Sequence, residues 1–287
     1  MTVGSGVWLG ALCASVLVPV AIGAQARADS GVRVTGKGAT PPPGVKPKLP
    51  PTLKVPTTYA DLFAERDSRA EAAIGYVGCL QETVNALRTG ALGAVPREWS
   101  MACVQQGAEW RGVFGELAAD GPGFVVHLQY ALRRRAVVTD AVDTVRAGAV
   151  ARALFRGLSA PLPGAGQYEL IPVVLPQPTF VEVWFLPVPS AARAIVGGDS
   201  VIQMSRDGTR ELGHSKSAAA LHPIVVPSTG STFMVESAEE RIPLLSELVI
   251  ARMALDHLPR VTVRTRQYDA VLTNTATGPA VWKHTRR

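Results

Sequence analysis

The hydrophobic rhythm of the chain changes several times along its length. Residues Val7 to Gly23, VWLGALCASVLVPVAIG, form one uncharged apolar run. Between Thr58 and Leu87 the apolar positions Ala73, Val77, Leu80, Val84 and Leu87 recur every three or four residues, while Glu65, Arg66, Glu71 and Glu82 stand largely off that stripe. This spacing predicts an amphipathic helix, which Gly90 and Gly93 end. Pro96 opens a second stripe, Trp99, Cys103, Trp110, Phe114 and Leu117, stopped at Asp120-Gly121-Pro122-Gly123; the two stripes together predict a helical hairpin. A third apolar segment, Phe124 to Leu132, runs into Arg133-Arg134-Arg135. Thr139 with Asp140 and Asp143 then reads as the cap and first turn of a helix reaching Phe155.

Past Ser159 to Pro178, a stretch rich in Pro and Gly, the rhythm becomes that of strands. Thr179 to Val188 is aromatic and β-branched, Ser200 to Lys216 reads as a hairpin around Arg206-Asp207-Gly208, and Thr232 to Val235 as a short strand. Ala238 to Leu258 predicts one helix whose apolar side is Leu245, Leu248, Val249, Met253 and Leu255. Val261 to Thr273 alternates as a strand should, and Ala280 to His284 adds a last edge strand. The expected class is therefore α+β: a helical region over 58–158, a connection over 159–178, and an antiparallel sheet with one packed helix over 179–287.

Composition adds a destination. The first apolar run is followed by Ala24-Gln25-Ala26 and Ala26-Arg27-Ala28, two small-x-small cleavage sites, so residues 1–28 read as a secretory signal peptide of bacterial type. No Lys or Arg precedes the run, which leaves an uncleaved membrane anchor as the alternative. Cys13 follows Leu12 in mid-run, against a lipoprotein. Residues 29–57 form a linker whose TPPPGVKPKLPPTLKVPT stretch carries Lys46, Lys48 and Lys54 and no acid, the composition of a semi-rigid tether or of a polyproline ligand. With 47% hydrophobic residues the remainder should fold. A net charge of +6 points to an anionic envelope component or another envelope protein as partner, in a periplasmic or secreted location. Nucleic acid is not expected, nor a transmembrane segment after leader cleavage.

Candidate chemistry is sparse. In an oxidising compartment Cys79 and Cys103 are expected to form a disulfide, two buried free thiols being the alternative. No spacing calls for a metal or cofactor: His127, His214, His222, His257 and His284 are scattered, without phosphate loops or a nucleophile elbow. The arginine triplet, if helical, fans over roughly 200 degrees and suits a solvated face more than one ligand. The stretch Gly213-His214-Ser215-Lys216-Ser217 looks catalytic, but on a strand His214 and Lys216 share one face and Ser215 the other. With Gly208 left-handed in a three-residue loop, Ser205 should oppose Thr209 and Ile202 oppose Leu212. Ile202, Met204, Leu212 and His214 would then point inward, making His214 a core or rim histidine.

The run Gly197-Gly198-Asp199, then Asp207-Gly208, then His214-Ser215, followed by a strand such as Val261 to Thr265, resembles a pattern in uncharacterised exported bacterial proteins. The resemblance covers the C-terminal third and implies no activity. The expected function is that of a non-enzymatic envelope or interaction protein. The alternative is a hydrolase built around His214 with an acid such as Asp199 or Glu182.

Overall fold

A single helix, α1 (Tyr59–Arg88), runs past the three four-stranded sheets found among the described residues. The computed structural model describes residues 58–118, 123–159, 170–187, 194–217, 220–227, 230, 232–275 and 278–287; the expected leader over 1–28 and linker over 29–57 lie outside the described residues. Thr58 starts α1 by accepting the Asp61 N–H, and Gly90, at φ 75°, helps to end it. The buried face is Ala73, Tyr76, Cys79, Thr83 and Ala86. It is rotated about a third of a turn from the stripe read in the sequence, so Cys79 sits at its centre and not at its margin.

The first sheet is an antiparallel meander of β1 (Ser100–Gln106), β2 (Glu109–Leu117), β3 (Phe124–Ala131) and β4 (Ala136–Val138). This corrects the expected helical hairpin: the second stripe is two strands. Gly107, at φ 60°, turns the chain between them, and Gly112 and Gly115 weaken any helix over the same residues. At Gly112 the helix comes so close that a Cβ would meet the Thr83 side chain. Arg133-Arg134-Arg135 is the turn from β3 to β4 and not a helical run. Arg134 there bonds Glu109 at 2.8 Å and Asp140 at 2.7 Å, and Asp140 also accepts from the buried Arg111.

Helix α2 (Thr144–Ser159) begins later than the sequence suggested, with Asp143 accepting the Arg146 N–H. The second sheet has the order β5 (Leu170–Pro176), β6 (Phe180–Pro187), β8 (Ser200–Ser205), β9 (Glu211–Lys216). Strand β5 lies within the stretch read as a connection, because its apolar LIPVVLP is covered on both sides. Gly157 of α2 rests on Val183 and Pro172 of one face, and Arg69 of α1 reaches Glu182 on the other. A doubly covered strand loses its polar alternation, which is why β6, FVEVWFLP, is apolar at every position but Glu182.

The short β7 (Ala194–Val196) pairs with β10 (His222–Ile224). The third sheet runs β11 (Phe233–Glu236), β12 (Arg260–Arg264), β13 (Tyr268–Thr273), β14 (Val281–Arg286), with helix α3 (Leu245–Ala254) against it. The single strand expected over 261–273 is thus a hairpin that turns at Thr265, whose hydroxyl accepts the Tyr268 N–H. The fold is α+β. One apolar core runs through it from Phe63 and Val113 to Leu272. Cys79 and Cys103 are disulfide-bonded with Cα atoms 6.0 Å apart, joining helix α1 to strand β1. Among the described residues no helix is long and apolar enough to cross a membrane.

Candidate functional site

Register separates the three residues proposed from the sequence. Val183 pairs with Ile202 and Ile202 with His214, so these share the face that Gly157 of α2 touches through Val183. Glu182 points through the opposite face, towards α1. The hairpin loop is one residue longer than expected: Ser205 N donates to Arg210 O, and a bulge places Leu212 outside the ladder. Ile202 therefore opposes His214 and not Leu212, and Leu212 is half exposed. His214 is not a core residue, because β9 is the sheet's edge and is open on both faces. Its Nε2 lies 2.7 Å from the Oγ of buried Ser200, and among the described residues no carboxylate bonds it.

Asp199 belongs to a different cluster. Its carboxylate accepts from the Ser246 N–H and hydroxyl at the start of α3, which locks the β7–β8 connection onto that helix. Burial pushes Asp199 above the usual carboxylate range, partly opposed by those Ser246 bonds. Glu247 beside it, also buried, accepts the Leu244 N–H at 2.8 Å. Desolvation first, and the nearby charges of Asp199 and Glu239 in addition, push it up to about 7. The charge of Arg66 on α1 also acts on Asp199; its guanidinium lies over the Trp184 ring, 5.4 Å from the centroid, and burial lowers its pKa.

Glu182 is the floor of the third arrangement. Arg69 grips it with Nε at 2.8 Å and Nη2 at 3.1 Å, Trp184 Nε1 donates to it at 3.0 Å, and Gln177 Nε2 approaches at 3.4 Å. Arg69 is held on its other side by Glu65, one helical turn earlier. Beside Arg69 a cleft of about 260 Å³ is lined by α1 together with Gln105 of β1, Trp110 of β2, Leu175 and Pro176 of β5 and Arg146 of α2. Gln177 also lines it. Trp110 is seated because α1 has Gly75 there: a Cβ would collide with the indole ring. Arg146 and Gln105 have side chains without a hydrogen bond or ion pair among the described residues.

The cleft's volume falls just under the range of about 300–1,000 Å³ for pockets that hold drug-sized ligands, which suits a group the size of one residue. One face is apolar, the Arg69–Glu182 pair is rigid, and Arg146 and Gln105 supply free donors at the mouth. Sequence reading found Glu182 but missed Arg69, Gln105, Arg146 and Gln177. These residues are scattered over α1, β1, α2 and the β5–β6 turn, and only the Glu65–Arg69 spacing leaves a local trace. Among the described residues no group of three His, Cys, Asp or Glu could hold a metal ion. No protein-family model, curated protein or solved structure matches the chain.

Proposed function

We propose that the chain is an exported protein, periplasmic or extracellular, that works by binding an anionic component of the envelope or another envelope protein. The observation that carries the reading is the contrast at the cleft between the sheets. The acid that lines it, Glu65, is paired with Arg69, which also grips the buried Glu182 behind it, whereas the lining groups that reach solvent without a bonded partner among the described residues are a guanidinium, Arg146, and an amide, Gln105. Fixed charge pairs with free donors at a rim favour recognition, since a general acid or base needs an exchangeable proton within reach of substrate. The disulfide and the leader read in the sequence support export.

The test is retention of the mature protein by its own envelope fraction, compared with Arg146→Glu and Gln105→Lys. Retention that falls about tenfold or more in Arg146→Glu supports the cleft as the contact, one reversed charge being worth about that much. Retention no greater than that of an unrelated exported basic protein overturns the reading.

A hydrolase is the second reading, and one distance favours it: Ser200 Oγ and His214 Nε2 are within nucleophile-to-base reach. Ser200 is buried and the third, orienting acid is absent among the described residues. Labelling of Ser200 by a serine-directed phosphonate, abolished in His214→Ala, would establish that reading.

A further inference from the structure

Strand β14 forms the outer edge of the third sheet, and its backbone phase is fixed by one bond. Arg287 N donates to Gln267 O at 2.9 Å, continuing the pairing of Arg286 with Tyr268. Bonded and non-bonded pairs alternate in an antiparallel ladder. Thr285, Lys283 and Val281 therefore bond inward to β13, whereas the N–H and C=O groups of Trp282, His284 and Arg286 face away from the sheet. The next strand inward agrees: Tyr268, in a non-bonded pair with β14, gives its carbonyl to Thr265 on the other side.

Two of the antiparallel edge strands among the described residues, β9 and β14, are treated differently. Strand β9 is interrupted by the bulge at Leu212, carries Gly213 in its middle, and has charges of both signs in Glu211 and Lys216; bulges and charges of this kind block edge pairing. Strand β14 pairs in unbroken register with β13 over its whole length. It has no proline, no glycine and no acid, and Lys283, Arg286 and Arg287 give the edge a single sign. Towards solvent it shows Val281, Lys283 and Thr285; towards α1, Trp282 and His284 sit against Phe63 with ring centroids at 5.0 and 4.4 Å.

The geometry points to β14 as a strand-addition site for an extended acidic segment of another polypeptide, one that alternates acidic and apolar residues. Its backbone would complete the bonds offered by Trp282, His284 and Arg286, its acids would lie on the solvent face beside Lys283 and Arg287, and its apolar side chains would lie on the other face beside Trp282. The chain's own Thr40 to Thr57 segment is unsuited to the place: it is basic, and its prolines lack the N–H groups that the ladder needs. A second copy of β14 would bring lysines and arginines together. The site shares no residue with the cleft and stands or falls apart from it.

The probe is a short fluorescent peptide of alternating Glu and Val, with a Lys–Val peptide as control, titrated into the mature, disulfide-bonded protein. The Glu–Val peptide is expected to bind and to weaken as salt rises, while the Lys–Val peptide does not bind. Lys283→Glu should weaken binding about tenfold. Arg286→Pro removes an outward N–H without touching the ladder, so it should leave the melting temperature nearly unchanged and abolish binding; Arg286→Gln, which keeps the N–H and lies on the face away from the peptide's acids, should leave binding nearly unchanged. Equal binding of both peptides, no binding of the Glu–Val peptide, or self-association of the protein through β14 would each overturn the assignment.

Discussion

Glu182 shows how completely a buried acid can be enclosed by its partners. Arg69 approaches it with two nitrogens and Trp184 with a third, so replacing it leaves a guanidinium facing the core with one carboxylate fewer. We expect Glu182→Gln to lower unfolding stability by about 2 kcal/mol, below the usual figure for a fully buried pair because the Arg69 side chain is 16% exposed; denaturant titration checks this. Glu247 behaves oppositely, since among the described residues no cation bonds it. Its folded carboxyl keeps a proton up to about pH 7, against a reference value of 4.5. A raised carboxylate constant means that its contribution is fullest below pH 4.5 and is lost as pH rises through about 7. Glu247→Gln should therefore match the native protein in acid and exceed it above neutrality, by up to about 3 kcal/mol. The groups around it, the Ser237 hydroxyl, the Leu244 N–H and the charges of Asp199 and Glu239, stay in place in the variant, so the difference between the two curves isolates residue 247. A flat difference from pH 4 to 8 would refute the assignment.

Elements whose pattern is local were legible in the sequence; those set by contacts across the chain were not. Helix α1, the 200–216 hairpin and the final edge strand each follow from residues within a few positions of one another. Strands β1 and β2 were mistaken for a helix because Trp99, Cys103, Trp110, Phe114 and Leu117 repeat at spacings that suit a helix, while the two-residue turn at Gly107 and Ala108 carries little signal outside its sheet. Pairing Cys79 with Cys103 survived that error because a disulfide requires only that the Cα atoms approach, here to 6.0 Å between a helix and a strand. Closing the loop, with a sequence separation of 24, should stabilise the fold by about 3 kcal/mol. Cys103→Ser is expected to lower the melting temperature by about 5–10 °C, and thiol titration of the oxidised, denatured mature protein, without the leader that carries Cys13, should find none free. The cleft was illegible for a related reason: Trp110 read as core, and it becomes a wall only because α1 has Gly75 against it. Gly75→Ala should displace the indole, lower stability by about 1–3 kcal/mol and reduce envelope retention, whereas Gly78→Ala on the same helix, with open space at its Cβ, should do neither.

At the scale of the whole molecule, α1 ties the sheets together at separate points along its length. Its C-terminal half is held to the first sheet by the disulfide and by Thr83 on Gly112. Its middle meets the second sheet through Arg69 and Glu182, and α3 through Arg252, which bonds Asp67 at 2.6 Å and Glu71 at 2.7 Å. Its first turns enter the third sheet, where Tyr59 stacks 3.8 Å from Tyr268 and Phe63 is enclosed by Trp282 and His284. These ties differ in kind, so removing one should not release the others. Phe63 is 2% exposed and its ring is the main apolar contact of α1 with β14; Phe63→Ala should cost about 3–5 kcal/mol where it packs. The loss should fall unevenly, because the disulfide and the Arg69–Glu182 pair still hold α1 against the other two sheets. Native-state hydrogen exchange is expected to show amides of β12, β13 and β14 losing protection by orders of magnitude while those of β1, β2 and β3 change little. A uniform loss across all three sheets would mean that the continuous core, and not the separate ties, decides how the molecule opens.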